Sequence, residues 1–185
     1  SPEVVSTEST ANAYRGVIAV DHFGTIHIAW KDKSDYQGIG TNWHICYKNK
    51  PKDGNWTTTD LVSTESSGNC GCPSLAVDTN NTVHVTWADD SEIYNSGDDE
   101  DIFYRSRLKN GYWTDYELVS TDSTTDSLEP SIDVDSENTV YIAWEEMVDT
   151  TMAHNRYNII YKQKKQGDLW LPSENVSTQS TGQSV

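Results

Sequence analysis

Carboxylates crowd one short stretch of this chain: Asp89, Asp90 and Glu92, then Asp98, Asp99, Glu100 and Asp101 around Ser96-Gly97. Hard oxygen ligands at this density suit calcium, which takes about six to eight of them. The candidate ligands are Asp89, Asp90, Asp98, Asp99 and Asp101. The D-x-[DN]-x-[DN]-G spacing of a calcium loop is missing, so a solvated acidic loop is the competing reading. A carboxylate also stands two residues after each of three tryptophans, as Asp32 after Trp30, Asp89 after Trp87 and Glu146 after Trp144. These side chains could bind a cation or a sugar hydroxyl, or they could cap the loop that follows. Tyr36, Trp43 and Tyr94 are loop aromatics of the kind that stack on sugar rings, with loop anchoring as the alternative.

The elements that must position these groups follow from a repeat of 57 residues. Val-Ser-Thr recurs at 5–7, 62–64, 119–121 and 176–178. Asp21, Asp78 and Asp135 keep the same register, as do Trp30, Trp87 and Trp144. So do Tyr47, Tyr104 and Tyr161, and a second tryptophan set, Trp56, Trp113 and Trp170. A period of this size signals a stacked or radial array. In the second unit, Pro73–Asp78 reads as a buried strand, Thr79-Asn80-Asn81 as a turn and Thr82–Trp87 as an alternating strand. Ile102–Arg107 is a third strand, Lys109-Asn110-Gly111 a hairpin turn and Trp113–Val119 a fourth strand. The same four recur as Gly16–Asp21, Thr25–Trp30, Trp43–Asn49 and Trp56–Val62. They recur again as Pro130–Asp135, Thr139–Trp144, Asn158–Gln163 and Trp170–Val176. Helical periodicity is absent.

Four antiparallel strands per unit, with a recurring aromatic set, predict an all-β fold, a β-propeller of three blades. The blades are expected at 7–63, 64–120 and 121–177, with 1–6 as the outer strand of a preceding blade and 178–185 as a connector to a further repeat. The large rings are expected to fill the space between blades, and Asp21, Asp78 and Asp135 to cap turn amides. Propellers close with about four to eight blades. Three would leave open edges, so the expected partners are further blades of the same or another chain. Either the sequence is a segment of a longer array or copies associate, for example as two sets of three.

With 29 Asp+Glu against 13 Lys+Arg, the formal net charge is −16. Such a surface repels phosphate backbones and anionic membranes, which argues against a nucleic-acid partner. No apolar run approaches the roughly 18 residues of a membrane span. Asn55, Asn80 and Asn175 head Asn-x-Ser/Thr sequons, candidate glycosylation sites that favour an extracellular or cell-surface protein. Cys46, Cys70 and Cys72 could form one bridge, from Cys46 to either of the pair or within the pair; a zinc site lacks a fourth ligand.

The units resemble the blades of the sialidase-like, or bacterial-neuraminidase-repeat, propellers. The pattern is Pro-Ser-(Leu/Ile)-x-Val-Asp, Thr-Val-x-(Val/Ile)-x-Trp, Ile-x-Tyr, a Gly before Trp, and Val-Ser. The strict Asp-box is replaced by Lys52-Asp-Gly-Asn-Trp56 and Lys109-Asn-Gly-Tyr-Trp113, and in the third copy Lys165-Gln-Gly-Asp-Leu-Trp170 shifts the glycine by one position. The resemblance implies blade architecture, not activity. Sialidases of the family use three arginines on the substrate carboxylate, a Tyr/Glu pair and an acidic proton donor. This chain has Arg15, Arg105 and Arg156. Arg15 stands where the first family arginine would, but Gly16-Val17 follows it in place of Ile-Pro. Arg105 replaces Lys48 and Lys162 and reads as a strand-surface cation; Arg156 lies in a connector. The expected function is therefore a noncatalytic extracellular propeller segment, a binding or surface-scaffold module with glycans or surface proteins as partners. The alternatives are a lectin-like propeller, with calcium as a possible cofactor, and a fragment of a sialidase-like hydrolase.

Overall fold

Asp21, Asp78 and Asp135 each end a strand and turn the chain by the same means. One carboxylate oxygen accepts backbone N–H bonds from residues two and four positions on: Phe23 and Thr25, Asn80 and Thr82, Glu137 and Thr139, at 2.7–2.9 Å. This Asx geometry replaces the missing ladder bonds at the turn. The third turn residue must adopt positive φ, and the sequence supplies Gly24, Asn81 and Asn138 there.

These turns organise a computed structural model that describes residues 2–36, 38–94, 96–97, 99–149 and 156–178. Blade one comprises β1 (Ala13–Val20), β2 (Ile26–Asp32), β3 (His44–Lys50) and β4 (Asp60–Leu61). Blade two comprises β5 (Cys70–Val77), β6 (Val83–Asp89), β7 (Asp101–Arg107) and β8 (Glu117–Leu118). Blade three comprises β9 (Ser127–Val134), β10 (Thr139–Asp149), β11 (Arg156–Lys165) and β12 (Glu174–Asn175). Each is a four-stranded antiparallel meander in sequence order. The chain is thus an all-β propeller segment of three blades. Among the described residues no helix is long and apolar enough to cross a membrane.

The fourth strands are far shorter than the sequence suggests. Trp56–Val62 forms ladder pairs only at Asp60 and Leu61, with further backbone bonds from Thr57 N–H to the Asn49 carbonyl and from Val62 N–H to the Ile45 carbonyl. The tryptophans that open the second and third of these segments face another blade. Trp113 meets Tyr47 of the preceding blade edge-on at 5.4 Å, and Trp170 meets Tyr104 at 5.3 Å. Trp113 also bridges Arg107 of its own sheet, so these tryptophans join the blades while the chain beside them stays on the third strand.

Two apolar clusters join the blades. Ala29, Ile45, Tyr47 and Val62 of blade one pack on Leu75, Val83, Val85, Trp87 and Phe103 of blade two. Ala76, Ala88, Ile102, Tyr104 and Val119 of blade two pack on Ile132, Val140, Ile142, Trp144 and Ile160 of blade three. Trp30 heads a third, smaller cluster on the outer face of blade one, with Cys46, Leu61 and Val5. Cys46, Cys70 and Cys72 are free thiols, so none of the three possible bridges forms.

Polar clasps repeat alongside the apolar contacts. Arg105 donates to the Val62 carbonyl and the Thr64 hydroxyl, and Lys162 donates to the Val119 carbonyl and the Thr121 hydroxyl. Lys48 makes the matching bond to Thr7. These cations are not surface groups as the sequence suggests: Lys48 and Lys162 are buried and reach back to the preceding Val-Ser-Thr. A second row pairs Lys50 with Glu3, Arg107 with Asp60 and Lys164 with Glu117. The serine of the triplet serves its own blade, Ser63, Ser120 and Ser177 accepting the N–H of Ile45, Ile102 and Ile159.

Candidate functional site

The inner strands β1, β5 and β9 lie side by side, and each carries one extra residue at the same place. Pairing jumps from Tyr14↔Lys31 to Val17↔Ala29, from Gly71↔Ala88 to Ser74↔Thr86, and from Leu128↔Glu145 to Ser131↔Ala143. Proline follows the bulge as Pro73 and Pro130, tolerated because no ladder N–H is needed there. The bulged residues themselves, Arg15, Cys72 and Glu129, have φ of 53°, 48° and 48°. Positive φ costs a residue other than glycine about 1–3 kcal/mol, and such strain gathers at functional positions.

The three bulges aim their side chains at one another. Arg15 Nη1 donates to both oxygens of Glu129 at 2.9 Å, spanning from blade one to blade three across Cys72. Burial, with the Glu129 carboxylate beside it, pushes the Cys72 thiol up to about 11, so it is neutral at physiological pH. Tyr14 leans on Trp43 with ring centroids 5.5 Å apart. The Nζ atoms of Lys31 and Lys33 lie 4.6 and 5.6 Å from the centre of the Trp43 ring. Tyr14 is 54% exposed and Trp43 half-buried, so together they present aromatic surface at the rim. Glu100 sits at the place in blade two that Trp43 holds in blade one; burial and the nearby Asp126, Asp90 and Glu129 raise its carboxyl above the usual range.

This cluster departs from the repeat in a telling way. The backbone is triplicated, yet the rim positions read Tyr14, Gly71 and Leu128, then Arg15, Cys72 and Glu129. They continue with Lys31, Ala88 and Glu145, then Lys33, Asp90 and Met147, then Trp43, Glu100 and Tyr157. Scaffold positions stay alike while these diverge, as expected where a rigid frame carries a specific surface.

Among the residues singled out from sequence, Trp43 belongs to this surface. Asp32 and Asp89 do not reach it, for both are wholly buried. Asp32 accepts from Trp30 Nε1 at 2.9 Å, the Ser34 amide, the Ser9 hydroxyl and the Tyr36 hydroxyl. Burial opposes its ionisation, but the Ser34, Trp30 and Ser9 bonds outweigh that and hold it below the usual carboxylate range. Asp89 repeats the pattern with Trp87, Ser91 and Ser66, and also accepts from the Cys70 thiol. Glu146 accepts from Trp144 Nε1 at 3.0 Å. Asp32 and Asp89 thus pin the second-to-third connector to the tryptophan before it, while Glu146, inside β10, holds its tryptophan alone. Tyr36 is half-buried against Asp32 and the outer cluster of blade one, whereas Tyr94 is 55% exposed with φ 58°.

The acidic connector is dispersed. Asp89 is engaged as described, Asp90 accepts from the Asn69 amide, and Asp101 turns inward to the Ser120 hydroxyl. Asp99 is half-buried beside Gly97, and Asp98 lies outside the described residues. Among the described residues no group of three His, Cys, Asp or Glu side chains is placed to hold a metal ion. Of the sequon residues, Asn55 and Asn80 are exposed, while Asn175 lies in β12 and accepts from Ser177.

No family model and no curated protein sequence matches the chain. Among solved structures, it is similar to the Hadza microbial sialidase Hz136, with a TM-score of 0.63 and 13% identity over 89% of this chain. It is also similar to the polysaccharide lyase Uly1, with a TM-score of 0.55 and 10% identity over 88% of this chain. The chain spans 37% and 40% of those two proteins. At such identities the likeness establishes the propeller fold.

Proposed function

We propose that this propeller segment is a noncatalytic, extracellular carbohydrate-binding module whose contact surface is the rim around Trp43. The observation that carries the reading is the Tyr14–Trp43 aromatic pair, flanked by Lys31, Lys33 and Arg15, on an otherwise acidic chain. The half-buried indole and the exposed Tyr14 ring beside it offer apolar surface to a sugar ring, and neighbouring cations donate to its hydroxyls or to an acidic substituent. The nearby Arg15–Glu129 pair offers both a donor fork and acceptor oxygens to such a ligand. The sialidase and lyase resemblance supports a carbohydrate context. The single arginine on this rim supports a binding rather than a sialidase role.

Titration of the protein with neutral and uronate-bearing oligosaccharides, followed by tryptophan fluorescence, tests the reading. Saturable binding that weakens at least tenfold in Trp43→Ala, with an unchanged melting temperature, is the expected result. Absence of binding across both glycan classes removes the proposal. Turnover of a sialoside or aryl glycoside abolished by Arg15→Ala would replace it with the hydrolase reading.

A further inference from the structure

At the end of the strands away from the bulged rim, the joint between blades one and two opens into a cleft of about 230 Å3. Asp21, His27 and Asn49 of blade one wall it together with Asn81, Arg107 and Lys109 of blade two. Phe23 stands at its mouth, 59% exposed. The His22 and Phe23 ring centroids are 4.0 Å apart, and Lys109 Nζ lies 5.7 Å from the centre of the Phe23 ring. The carbon stem of Lys52 passes beside Gly24, the next residue. Among the described residues neither Lys52 nor Lys109 pairs with a carboxylate, although the chain has 29 Asp+Glu against 13 Lys+Arg.

The joint between blades two and three has a cleft of about 260 Å3 at the same place, but there the side chains satisfy one another. Asn80, at the position of Phe23, donates to the Gln166 side chain, at the position of Lys109. Asn138 accepts from the Thr79 amide and hydroxyl, whereas its counterpart Asn81 has a carbonyl oxygen with no hydrogen-bond partner among the described residues. Lys164 donates to both oxygens of Glu117, whereas its counterpart Arg107 meets Asp60 through Nε alone, at 3.2 Å. The second lining sets Lys164 against Glu117 and Asp168, while the first sets Arg107 and Lys109 against Asp21. Burial keeps His27 below its usual pKa, so it adds no charge at neutral pH. The first joint is left with an excess cation, an unsatisfied acceptor and an aromatic lip.

We propose that this cleft binds one anionic sugar residue of a glycan, its carboxylate or sulfate between Arg107 and Lys109, a hydroxyl on Asn81 and its apolar face on Phe23. Charge-assisted bonds hold the acid group, and the exposed ring supplies apolar contact. The volume lies below the roughly 300 Å3 at which pockets for larger ligands begin, which suits a single ring. An acidic peptide side chain fits less well, because an ionised carboxylate offers no donor to Asn81 Oδ1. The site is separate from the rim around Trp43 and does not rest on it.

The second joint supplies the test. Phe23→Asn with Lys109→Gln rebuilds in the first joint the amide pair that the second already carries, so this double variant should melt as the parent does. No tryptophan lines the cleft, so its occupancy is read by calorimetry. Uronate-bearing and sulfated oligosaccharides are titrated into the Trp43→Ala protein, from which the rim aromatic is gone. Saturable binding is expected, and the arm that binds identifies the acid group. It should weaken about tenfold when Phe23→Asn and Lys109→Gln are added, and neutral oligosaccharides should bind about tenfold less tightly. Lys109→Gln alone, at an exposed position, should reproduce most of the loss. Failure of both acidic arms to bind Trp43→Ala overturns the proposal, whatever the parent does. Binding unchanged by the double variant overturns it too, by placing the site elsewhere. Tetraglutamate bound as tightly as the acidic sugars would replace it with a contact for an acidic peptide.

Discussion

Lys162 places its ammonium 2.8 Å from the carbonyl oxygen of Val119, forty-three residues earlier and one blade away. The side chain is 3% exposed, so its carbon stem fills the joint between blades while its charge faces Val119, Thr121 and Asp122. That relationship gives the recurring Val-Ser-Thr a physical meaning. Valine contributes apolar surface and a carbonyl to the next blade, serine closes its own sheet, and threonine offers the next blade a hydroxyl.

Removing this clasp should therefore loosen the joint. Lys162→Met keeps the stem but strands the Val119 carbonyl, and a loss of about 1–3 kcal/mol is expected from urea unfolding at pH 7. Lys162→Arg should cost less than about 0.5 kcal/mol, because Arg105 makes the same contact to Val62 in the joint before it. Equal losses in both variants would show that the charge is idle.

The buried carboxylates make a second, graded expectation. Asp89→Ala leaves Trp87 Nε1, the Ser91 amide and the Ser66 hydroxyl without their acceptor, and should cost about 2–4 kcal/mol. Asp32→Ala should behave alike. Glu146→Ala, at a half-buried site, should cost less, about 1 kcal/mol. Melting temperatures that ignore all three substitutions, with loss of glycan binding instead, would return these residues to the ligand.

Asp101 carries a pH signature. Burial lifts its carboxyl to about 6 against the opposing Ser120 and Ser96 hydroxyls; Ser120 donates to one oxygen, and among the described residues the other oxygen meets no donor within hydrogen-bond geometry. A carboxyl whose folded pKa exceeds its unfolded value binds its proton more tightly when folded. Its contribution is thus favourable below the unfolded value near 4 and is lost as pH rises to about 6. Blade three answers the same position with Asn158, which also pairs with a serine hydroxyl. Asp101→Asn should raise stability by about 1–3 kcal/mol at pH 7.5 and by little at pH 4. The difference between parent and variant is the quantity to plot, because burial depresses His27 and His44 and makes both destabilising as pH falls. A difference independent of pH would exclude an ionised, buried Asp101.

How much of this was visible in the sequence follows from what each residue depends on. The register of Asp21, Asp78 and Asp135 specifies three hairpins because an Asx turn is local. The placement of Trp113 and Trp170 is not local, since each packs on the tyrosine of another blade. Lys48 and Lys162 look like surface cations on an alternating strand, and only the neighbouring blade reveals their burial. At the rim, Trp43 and Arg15 stand out by type, whereas Tyr14, Lys31, Lys33 and Glu129 do not. The signal that finds them is divergence at equivalent positions within an otherwise faithful repeat.

The bulges predict an exchange between stability and binding. Arg15, Cys72 and Glu129 all hold positive φ, a conformation glycine adopts without a steric penalty. Cys72→Gly should therefore raise stability by up to about 1 kcal/mol, because its thiol is neutral and its main cost is backbone strain. Arg15→Gly relieves the same strain but gives up the exposed pair with Glu129, which is worth about 0–1 kcal/mol, so its stability should hardly change. Glycan binding should nevertheless fall sharply in Arg15→Gly and persist in Cys72→Gly. Calorimetric melting beside fluorescence titration separates the two effects. Should Arg15→Gly bind as the parent does, the arginine is merely a strut between blades, and the contact surface shrinks to Tyr14, Trp43 and the two lysines.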